Sequence, residues 1–290
     1  MTRRSASKPT VSVVMTVYDP HPVFFAKAVQ SILDQSWADF ELIIVEDPSP
    51  RHDGDWLRDT AEPRLRHIVN GERTSLVWQK NRGVSAAAGQ YVALMDADDV
   101  AHPARLAKQV EYLAAHPEIA VIGSQIAVID QNDCVVGYRR FPLEHDAIMK
   151  ALPRVVPLSQ PSVMFRRETF ESFGGYQLTE FAAAEDYELW SRWIKQGVRF
   201  ANHSEPLLNY RLHPGQTKFT RLRETILADL RVKETYWADE RDMRARIWWL
   251  AQRLLLRLPE WVVAKLLVRM LYHAQPPMPA SEAAPERALL

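Results

Sequence analysis

A run of acidic residues directly follows a short apolar stretch and offers the clearest chemistry in the chain. Residues Tyr91–Met95 have the pattern of a buried strand, and Asp96, Asp98 and Asp99 come immediately after it. In an open α/β sheet, ligands bind beyond the carboxyl ends of the strands, which is where these carboxylates would lie. Hard oxygen ligands at this spacing suit Mg²⁺ or Mn²⁺, and such a cation in turn favours the oxygens of a diphosphate. The alternative is an acidic turn that caps a helix beginning near Pro103, because Asp is a good cap residue.

A second acidic pair, Glu46 and Asp47, follows the strand predicted at Phe40–Val45. Parallel strands bring their carboxyl ends to one edge of a sheet, so this pair and the first cluster would face a common crevice. Asp47 could then accept a hydrogen bond from a ring N–H of uracil or guanine. A lone Glu-Asp turn is usually a plain polar loop, and its position beside the other cluster is what favours a binding role.

The segments that must position these carboxylates alternate between strand and helix. Short β-branched runs mark the strands, and apolar residues at helical spacing mark the helices. Such alternation predicts an α/β fold with a mostly parallel central sheet flanked by helices. The elements predicted up to the acidic cluster are strands Val11–Val17, Phe40–Val45, Leu65–Val69 and Tyr91–Met95, and helices Phe24–Gln35, one near Trp56, and Leu76–Ala88.

Beyond Asp99 the pattern is less regular but still mixes both element types. A helix start is indicated at Glu185–Asp186, after a flexible turn at Gly174–Gly175. The other predicted elements are helix Pro103–His116, strand Ile119–Ile129 with hairpin partner Val135–Tyr138, and short strands Ser162–Phe165, Arg199–Ala201 and Leu207–Arg211.

The carboxyl-terminal part of the chain is predicted to be helical and basic. Residues 241–273 carry seven Lys or Arg against two acids, a local charge of +5. On a helix, Arg246, Arg253 and Arg257 would fall on one side, and Trp and Leu residues would cover much of the remainder, as they would in a second segment at Trp261–Tyr272. This pattern favours helices that lie in a membrane interface. The alternative is a helical subdomain that packs on the sheet with its arginines solvated.

The overall composition narrows the class of protein. The 290 residues are 47% hydrophobic and carry 36 basic and 36 acidic side chains, so nothing points to a nucleic-acid-binding protein. The single cysteine, Cys134, excludes an internal disulfide and a cysteine-based zinc site, and it indicates a reducing cytosol. We expect neither a signal peptide nor a transmembrane helix, because no apolar run has the required length.

Several motifs, taken in order, resemble family 2 glycosyltransferases of the GT-A fold, which is Rossmann-like. The motifs are Val11–Asp19, Ala28–Asp47, Asn81–Asp99, Gly174–Tyr176, Ala184–Trp193 and Asn209–His213. The resemblance implies an inverting enzyme that uses Mn²⁺ or Mg²⁺ to move a sugar from a nucleotide-diphosphate sugar to an acceptor hydroxyl, in cell-surface polysaccharide or lipopolysaccharide synthesis. It also implies a catalytic domain at 9–215, divided into a nucleotide-sugar half at 9–99 and an acceptor half at 100–215. A helical region at 216–273 and a disordered tail at 274–290 would follow.

The resemblance implies a donor side and an acceptor side for the site. The donor-side residues would be Thr16, Tyr18 and Asp47 at the nucleoside, Asn81, Arg82 and Asp98 at base, ribose or phosphate, Asp99 at the metal, and Arg211 and His213 over the diphosphate. Asp186 matches the base that takes the proton from the acceptor hydroxyl, with Glu185 and Trp190 on the acceptor side. A carboxylate in a partly dry pocket can have its pKa raised toward that task. Without the other motifs, acids at this position would simply favour the helix dipole.

Three positions depart from the family pattern, and two other classes of protein remain open. Asp19 stands for the usual Asn, Glu46 for the usual Asp and Lys80 for the usual Arg, which leaves the base and sugar of the donor undetermined. A sugar nucleotidyltransferase would share the sheet and the metal, but it should have a Gly-rich loop where this chain has Tyr18–Pro22. A non-catalytic member could scaffold an assembly at the membrane. We expect a cytoplasmic protein at the inner face of the cell membrane, with a lipid-linked saccharide as acceptor.

Overall fold

The computed structural model describes residues 8–50, 56–57, 60–178, 181, 183–213, 221–240, 242–260, 262–263 and 266. Within these residues the chain forms a mixed sheet with helices on both faces. The strands are β1 (Val11–Val17), β2 (Phe40–Glu46), β3 (Leu65–Val69), β4 (Tyr91–Met95), β5 (Val100–Ala101), β6 (Val121–Ile129), β7 (Val135–Arg139), β8 (Met164–Arg166) and β9 (Phe200–Arg211). Their order across the sheet is β3-β2-β1-β4-β8-β6-β9-β5, and β7 pairs with β6 outside this path.

Strands β1 to β4 are parallel, as the alternating pattern predicted. β1 lies between β2 and β4, with Thr16 opposite Val45 and Met15 opposite Met95. This register aligns the carboxyl ends of β2 and β4, so the acidic residues that follow them lie at one edge of the sheet. The mostly parallel α/β fold is therefore confirmed, with antiparallel pairing confined to β5, β7 and β8.

The helices cover the two faces of the sheet. They are α1 (Pro22–Leu33), α2 (Leu76–Ala86), α3 (Arg105–Ala115), α4 (His145–Ala151), α5 (Arg167–Phe173), α6 (Glu185–Lys195), α7 (Leu222–Trp237) and α8 (Met243–Leu255). Alternate residues of β1 point to opposite layers, so Val13 packs on the α1 and α3 side and Val14 on the α2 and α6 side. Gly83 lets α2 lie close to the sheet, because a Cβ there would come within 2.4 Å of Cγ1 of Val14.

Strand β9 differs from the prediction of two short strands. The polar stretch between the predicted segments, Asn202–Pro206, is absorbed into one twelve-residue strand. The pairing with β6 is parallel and shifts register on either side of Gln125, so a bulge accommodates the extra residues. β9 thereby runs unbroken to Arg211 at the edge that carries the acidic cluster. The helix predicted near Trp56 falls largely outside the described residues.

Helices α7 and α8 pack against α6 and the segment that follows α4 rather than standing apart from the sheet and its helices. The indole N–H of Trp237 donates to Oγ of Ser191 at 3.0 Å, and that of Trp249 donates to the carbonyl of Pro153 at 2.6 Å. One face of each helix therefore packs on the rest of the protein, as expected for the alternative of a helical subdomain. The predicted boundary at 215 and the predicted tail lie outside the described residues, as does most of Trp261–Tyr272. No helix in the described part of the chain is both long and apolar enough to cross a bilayer.

Candidate active site

Three carboxylates meet at the end of β4. Asp96, Asp98 and Asp99 place one oxygen each within 4.8 Å of one another, and Asp99 is fully buried. The fully buried Asp99 accepts a hydrogen bond from the backbone N–H of Arg211 at 2.8 Å. Carboxylate oxygens this close together can ligate a hard divalent cation. The group of oxygen ligands predicted from the sequence is therefore present at this strand end.

Arg211 and His213 hold this acidic cluster from the end of β9. The Arg211 guanidinium donates through Nε to the carbonyl of Asp98 at 2.8 Å and lies 4.4 Å from the ring centroid of Phe24. The side chain is completely buried and fixes the acidic turn, and the expectation that the segment of Arg211 and His213 closes over a diphosphate stays a prediction. His213 lies nearer to solvent, with Nε2 2.9 Å from Oδ2 of Asp98.

The end of β2 carries a second polar network, centred on Asp47. The buried Asp47 carboxylate accepts hydrogen bonds from the amide of Asn70 at 2.5 Å and from the backbone N–H of Thr74 at 2.6 Å. Asp47 is therefore occupied by donors from the 70–74 loop, although a carboxylate has capacity for further donors. Tyr18 stands at the rim, 39% exposed, with the Arg73 guanidinium 4.0 Å from its ring centroid. Nearby, Thr16 lies one residue before the end of β1.

Asn81 and Arg82 make contacts that the motif did not predict. The Asn81 amide donates to the carbonyl of Tyr176 at 2.8 Å and accepts from its N–H at 3.0 Å. This pair of bonds ties α2 to the Gly174–Tyr176 turn, and the expected contact of Asn81 with the donor stays a prediction. Arg82 donates to the side-chain oxygen of Asn70 and stacks 5.2 Å from the Trp78 ring, at an open cavity of about 550 Å³.

Asp186 lies at the start of α6, half-buried, with Oδ1 accepting the N–H of Tyr187 at 2.7 Å. Burial and the adjacent Glu185 carboxylate raise the pKa of Asp186 to about 7, and Asp229 adds to the shift while Lys80 opposes it. Such a carboxylate exchanges protons near neutral pH, which is the property expected of a general base.

Lys80 connects the two acidic clusters, and sequence reasoning noted it only as a departure from the family pattern. Its buried ammonium donates to Oε1 of Glu185 at 2.7 Å and to Oε1 of Gln160 at 2.6 Å. Burial would lower the pKa of Lys80, but the carboxylates of Glu185, Asp96 and Asp186 together raise it above its usual value. The Lys80 charge is therefore shared between the end of β4 and the start of α6.

Two further side chains near Asp186 come from α7 and had no signal in the sequence. Asp229 and Lys233 are one helical turn apart, and Lys233 is buried 5.7 Å from the centroid of the Tyr187 ring, with Nζ donating to Oε1 of Gln252 at 2.6 Å. Burial raises the pKa of Asp229 and lowers that of Lys233 to about 8. Helix α7 thus places Asp229 close enough to Asp186 to raise the pKa of Asp186, and it places Lys233 beside Tyr187.

Trp190 does not line the site. Its side chain is fully buried and packs edge-on against Trp193, with centroids 5.6 Å apart, and against Phe200 at 5.9 Å. Because its side chain has no exposed surface, Trp190 cannot touch a bound sugar in this conformation, and its expected place near the acceptor site would be one of packing. Trp190 belongs to the core between α6 and the sheet.

Comparison with known proteins identifies the fold and the family of the chain. The α/β architecture with its curled sheet is the GT-A fold of glycosyltransferases. The model of the family described as "Glycosyl transferase family 2" matches residues 12–174, more than half of the chain. The protein belongs to glycosyltransferase family 2, and it is a glycosyltransferase.

Relatives with assigned names lie at moderate identity. The chain is 32% identical over 212 residues to the putative glycosyltransferase EpsE of Bacillus subtilis, covering 71% of this chain and 74% of that protein. It is 31% identical over 219 residues to the O-antigen biosynthesis glycosyltransferase WbnJ of Escherichia coli, covering 72% of this chain and 82% of that protein.

Two solved structures share the fold. The mannosyltransferase PcManGT of Pyrobaculum calidifontis, in complex with GDP-Man and Mn²⁺, superposes with a TM-score of 0.59 at 19% identity, over 91% of this chain and 76% of that one. TarS of S. aureus in complex with UDP superposes with a TM-score of 0.56 at 15% identity, over 78% and 70%. At these identities the likeness concerns the fold.

Proposed function

We propose that this protein is an inverting, metal-dependent glycosyltransferase that moves a sugar from a nucleotide-diphosphate sugar to an acceptor hydroxyl. The observation that carries the proposal is the position of Lys80 between two acidic clusters with different chemistry. One cluster, at Asp96, suits a cation and a diphosphate, and the other, at Glu185 and Asp186, suits proton transfer. Metal-assisted transfer of a sugar to a hydroxyl uses both functions side by side.

The acidic cluster at the end of β4 fits a divalent ion, because its carboxylate oxygens converge. Asp99 would hold Mn²⁺ or Mg²⁺, with Asp98 beside it on ribose or phosphate and Asp96 in support. When bound, the ion would offset the negative charge that develops on the departing diphosphate. PcManGT was solved with Mn²⁺ and GDP-Man, which supports a cation of this kind here.

Asp186 is the proposed base. With a pKa raised to about 7 by burial and by Glu185, it can take the proton from an acceptor hydroxyl at neutral pH. The hydroxyl oxygen then bonds to the anomeric carbon as the bond to the nucleoside diphosphate breaks. A single base suffices for inversion, since no covalent sugar–enzyme intermediate has to be formed and resolved. Glu185 serves this reaction indirectly, by holding Lys80.

The nucleoside would bind between Tyr18 and the 70–74 loop. Asp47, fixed by Asn70 and Thr74, remains the proposed acceptor of a ring N–H, Arg82 lines the adjoining cavity, and Thr16 remains a proposed contact of the nucleoside. Uracil and guanine both offer such an N–H. The complexes of TarS with UDP and PcManGT with GDP-Man are consistent with either base.

We also place the reaction in cell-surface polysaccharide or lipopolysaccharide synthesis, on a lipid-linked saccharide in the cytoplasm at the inner face of the cell membrane. The O-antigen biosynthesis name of WbnJ supports this process. The basic carboxyl-terminal helices support contact with a membrane surface.

The test is a screen of nucleotide sugars by thermal shift, with Mn²⁺ and with a chelator. A ligand at 100 times its dissociation constant adds about 2.7 kcal/mol of stability, so the cognate donor should stand out only when the metal is present. Proton NMR of the transferred sugar should then show an inverted anomeric configuration; retention would exclude the single-base mechanism. A sugar nucleotidyltransferase would instead release pyrophosphate from a nucleoside triphosphate, and a non-catalytic member would show no metal-dependent nucleotide binding.

A further inference from the structure

Helix α8 presents an exposed apolar stripe, which we call the α8 stripe. Its members are Met243, Ile247, Leu250 and Leu254, with Leu258 in the turn that follows the helix. They are 67%, 62%, 58%, 49% and 38% exposed, respectively. Large apolar side chains with this much exposure are common singly, but five at helical spacing form a continuous surface.

The stripe faces away from the body of the protein. At about 100° per residue, its members fall within an arc of roughly 80°, whereas the buried Ala245, Trp249 and Gln252 lie on the opposite side. Trp249 and Gln252 anchor that opposite side through hydrogen bonds to Pro153 and Lys233. The α8 stripe is therefore held in a fixed direction and is not needed to attach the helix.

Arginines run along one border of the stripe. Arg246, Arg253 and Arg257 are exposed and lie roughly 60° to 100° from the centre of the stripe on the same flank. Arg253 also makes a surface ion pair with Glu234. Helix α8 itself holds no acidic residue, its cap being Asp242, and Glu260 beyond the stripe pairs with Arg223, so the exposed side combines apolar and cationic groups.

This combination identifies the partner by its chemistry. A bilayer with anionic headgroups takes up Leu, Ile and Met side chains at the acyl boundary while phosphates attract the arginines beside them. A soluble protein partner would account for the apolar stripe but gives no reason for a row of like charges along its border. An acidic polymer would account for the charges but not for the stripe.

We propose that the α8 stripe docks this protein on the surface of an anionic phospholipid bilayer, with the helix parallel to the membrane plane. The proposal deepens the proposed function, on which it rests for the lipid-linked acceptor. Because α8 and α7 pack together and Asp229 of α7 lies close enough to Asp186 to raise its pKa, docking through the stripe would give the acceptor side a fixed orientation to the membrane.

The experiment is flotation of the full chain with vesicles of phosphatidylglycerol and phosphatidylethanolamine, compared with vesicles of phosphatidylcholine alone. The wild type should float with the anionic vesicles. The double variant Leu250→Glu, Leu254→Glu should lower the floated fraction by about tenfold, since two charges would enter the acyl boundary. Val136→Glu, at a side chain that is 56% exposed on β7, is the matched control and should float like the wild type.

A second variant separates the two parts of the surface. Arg246→Gln with Arg257→Gln should reduce flotation on anionic vesicles and leave the remaining binding less sensitive to salt. Circular dichroism melting and thermal shift with UDP or GDP and Mn²⁺ should be unchanged in every variant, which keeps a failure of membrane docking distinct from a failure of nucleotide binding.

Three results would overturn the proposal. The wild type could fail to float on anionic vesicles, or it could float as well after Leu250→Glu, Leu254→Glu as before. Alternatively, sedimentation velocity could show a dimer that the stripe variant converts to monomer without any flotation of either, which would make the stripe a contact between two copies of the chain.

Discussion

The two acidic clusters of the site are built in opposite ways. Asp98 and Asp99 sit at a strand end where β9 supplies donors, namely the Arg211 N–H and the His213 ring. Asp186 sits at a helix start beside a second carboxylate, and its main compensating cation, Lys80, also serves Asp96. The first environment surrounds the carboxylates with hydrogen-bond donors and brings their oxygens together, an arrangement that suits cation binding. The second keeps one carboxylate close to its titration point, which proton transfer requires.

A substitution at Asp186 is the strongest test of the difference between the two acidic clusters. Asp186→Asn removes the base but can keep the hydrogen bond from the Tyr187 N–H, so transfer should fall by about 10²- to 10⁴-fold while metal-dependent nucleotide binding stays nearly unchanged. Turnover of the donor found by screening and nucleotide titration measure the two effects. Asp146→Asn, another acid in the first turn of a helix, is the control. Retained turnover in Asp186→Asn would remove the base assignment.

Replacing the shared cation should affect both clusters at once. Lys80→Met leaves Glu185 buried without its partner, which should cost roughly 3 to 5 kcal/mol of stability. Because Lys80 holds the pKa of Asp186 down, its loss should raise that pKa further and move the acid limb of the activity profile to higher pH. Melting curves and pH–rate profiles test the two parts, and Lys80→Arg should preserve most of both. An unmoved acid limb in Lys80→Met would show that the charge of Lys80 does not reach Asp186.

The donor cluster should respond differently from the acceptor cluster. Asp99→Asn keeps an oxygen that can accept from the Arg211 N–H but removes the charge, so the gain in nucleotide affinity on adding Mn²⁺ should shrink by about tenfold or more. Titration of UDP and GDP with Mn²⁺ and with a chelator measures this change. The acid limb of any residual activity should stay where it is in the wild type. A full metal effect in Asp99→Asn would place the ion elsewhere.

The smallest expected effect concerns α7. Asp229 raises the pKa of Asp186, so Asp229→Asn should lower it. Since the base acts in its ionised form, a lower pKa keeps it active at lower pH, and the acid limb should shift downward. Glu234→Gln, an exposed acid on the same helix, is the matched control and should not shift the profile. If the acid limb of Asp229→Asn moves no more than that of Glu234→Gln, Asp229 does not influence the pKa of Asp186.

The sequence predicted the parallel half of the fold because its signal is local. Buried parallel strands such as Val11–Val17 and Tyr91–Met95 are uninterrupted apolar runs, and the carboxylates follow them in the chain. Once these strands are predicted to be parallel, the topology places the carboxylates that follow them at one edge of the sheet.

The acceptor side could be predicted less well because it depends on contacts between distant segments. Lys80 and Glu185 are 105 residues apart, and their pairing follows from how α2 and α6 meet. Trp190 illustrates the same difficulty. From the sequence alone, an aromatic residue one helical turn after Asp186 could either stack on a bound sugar or belong to the core. In the structure it lies on the face of α6 that packs against β9, beside Trp193, and so it belongs to the core.

Gly83 has a consequence that reaches beyond backbone packing. Helix α2 contacts three parts of the site with three consecutive side chains, Lys80 to Glu185, Asn81 to the Tyr176 turn, and Arg82 to Asn70. These contacts are made by a helix that rests directly on β1. A methyl group at position 83 would collide with Val14 of that strand. A side chain at position 83 would therefore move α2 away from β1 and change the distance between the two acidic clusters that Lys80 connects.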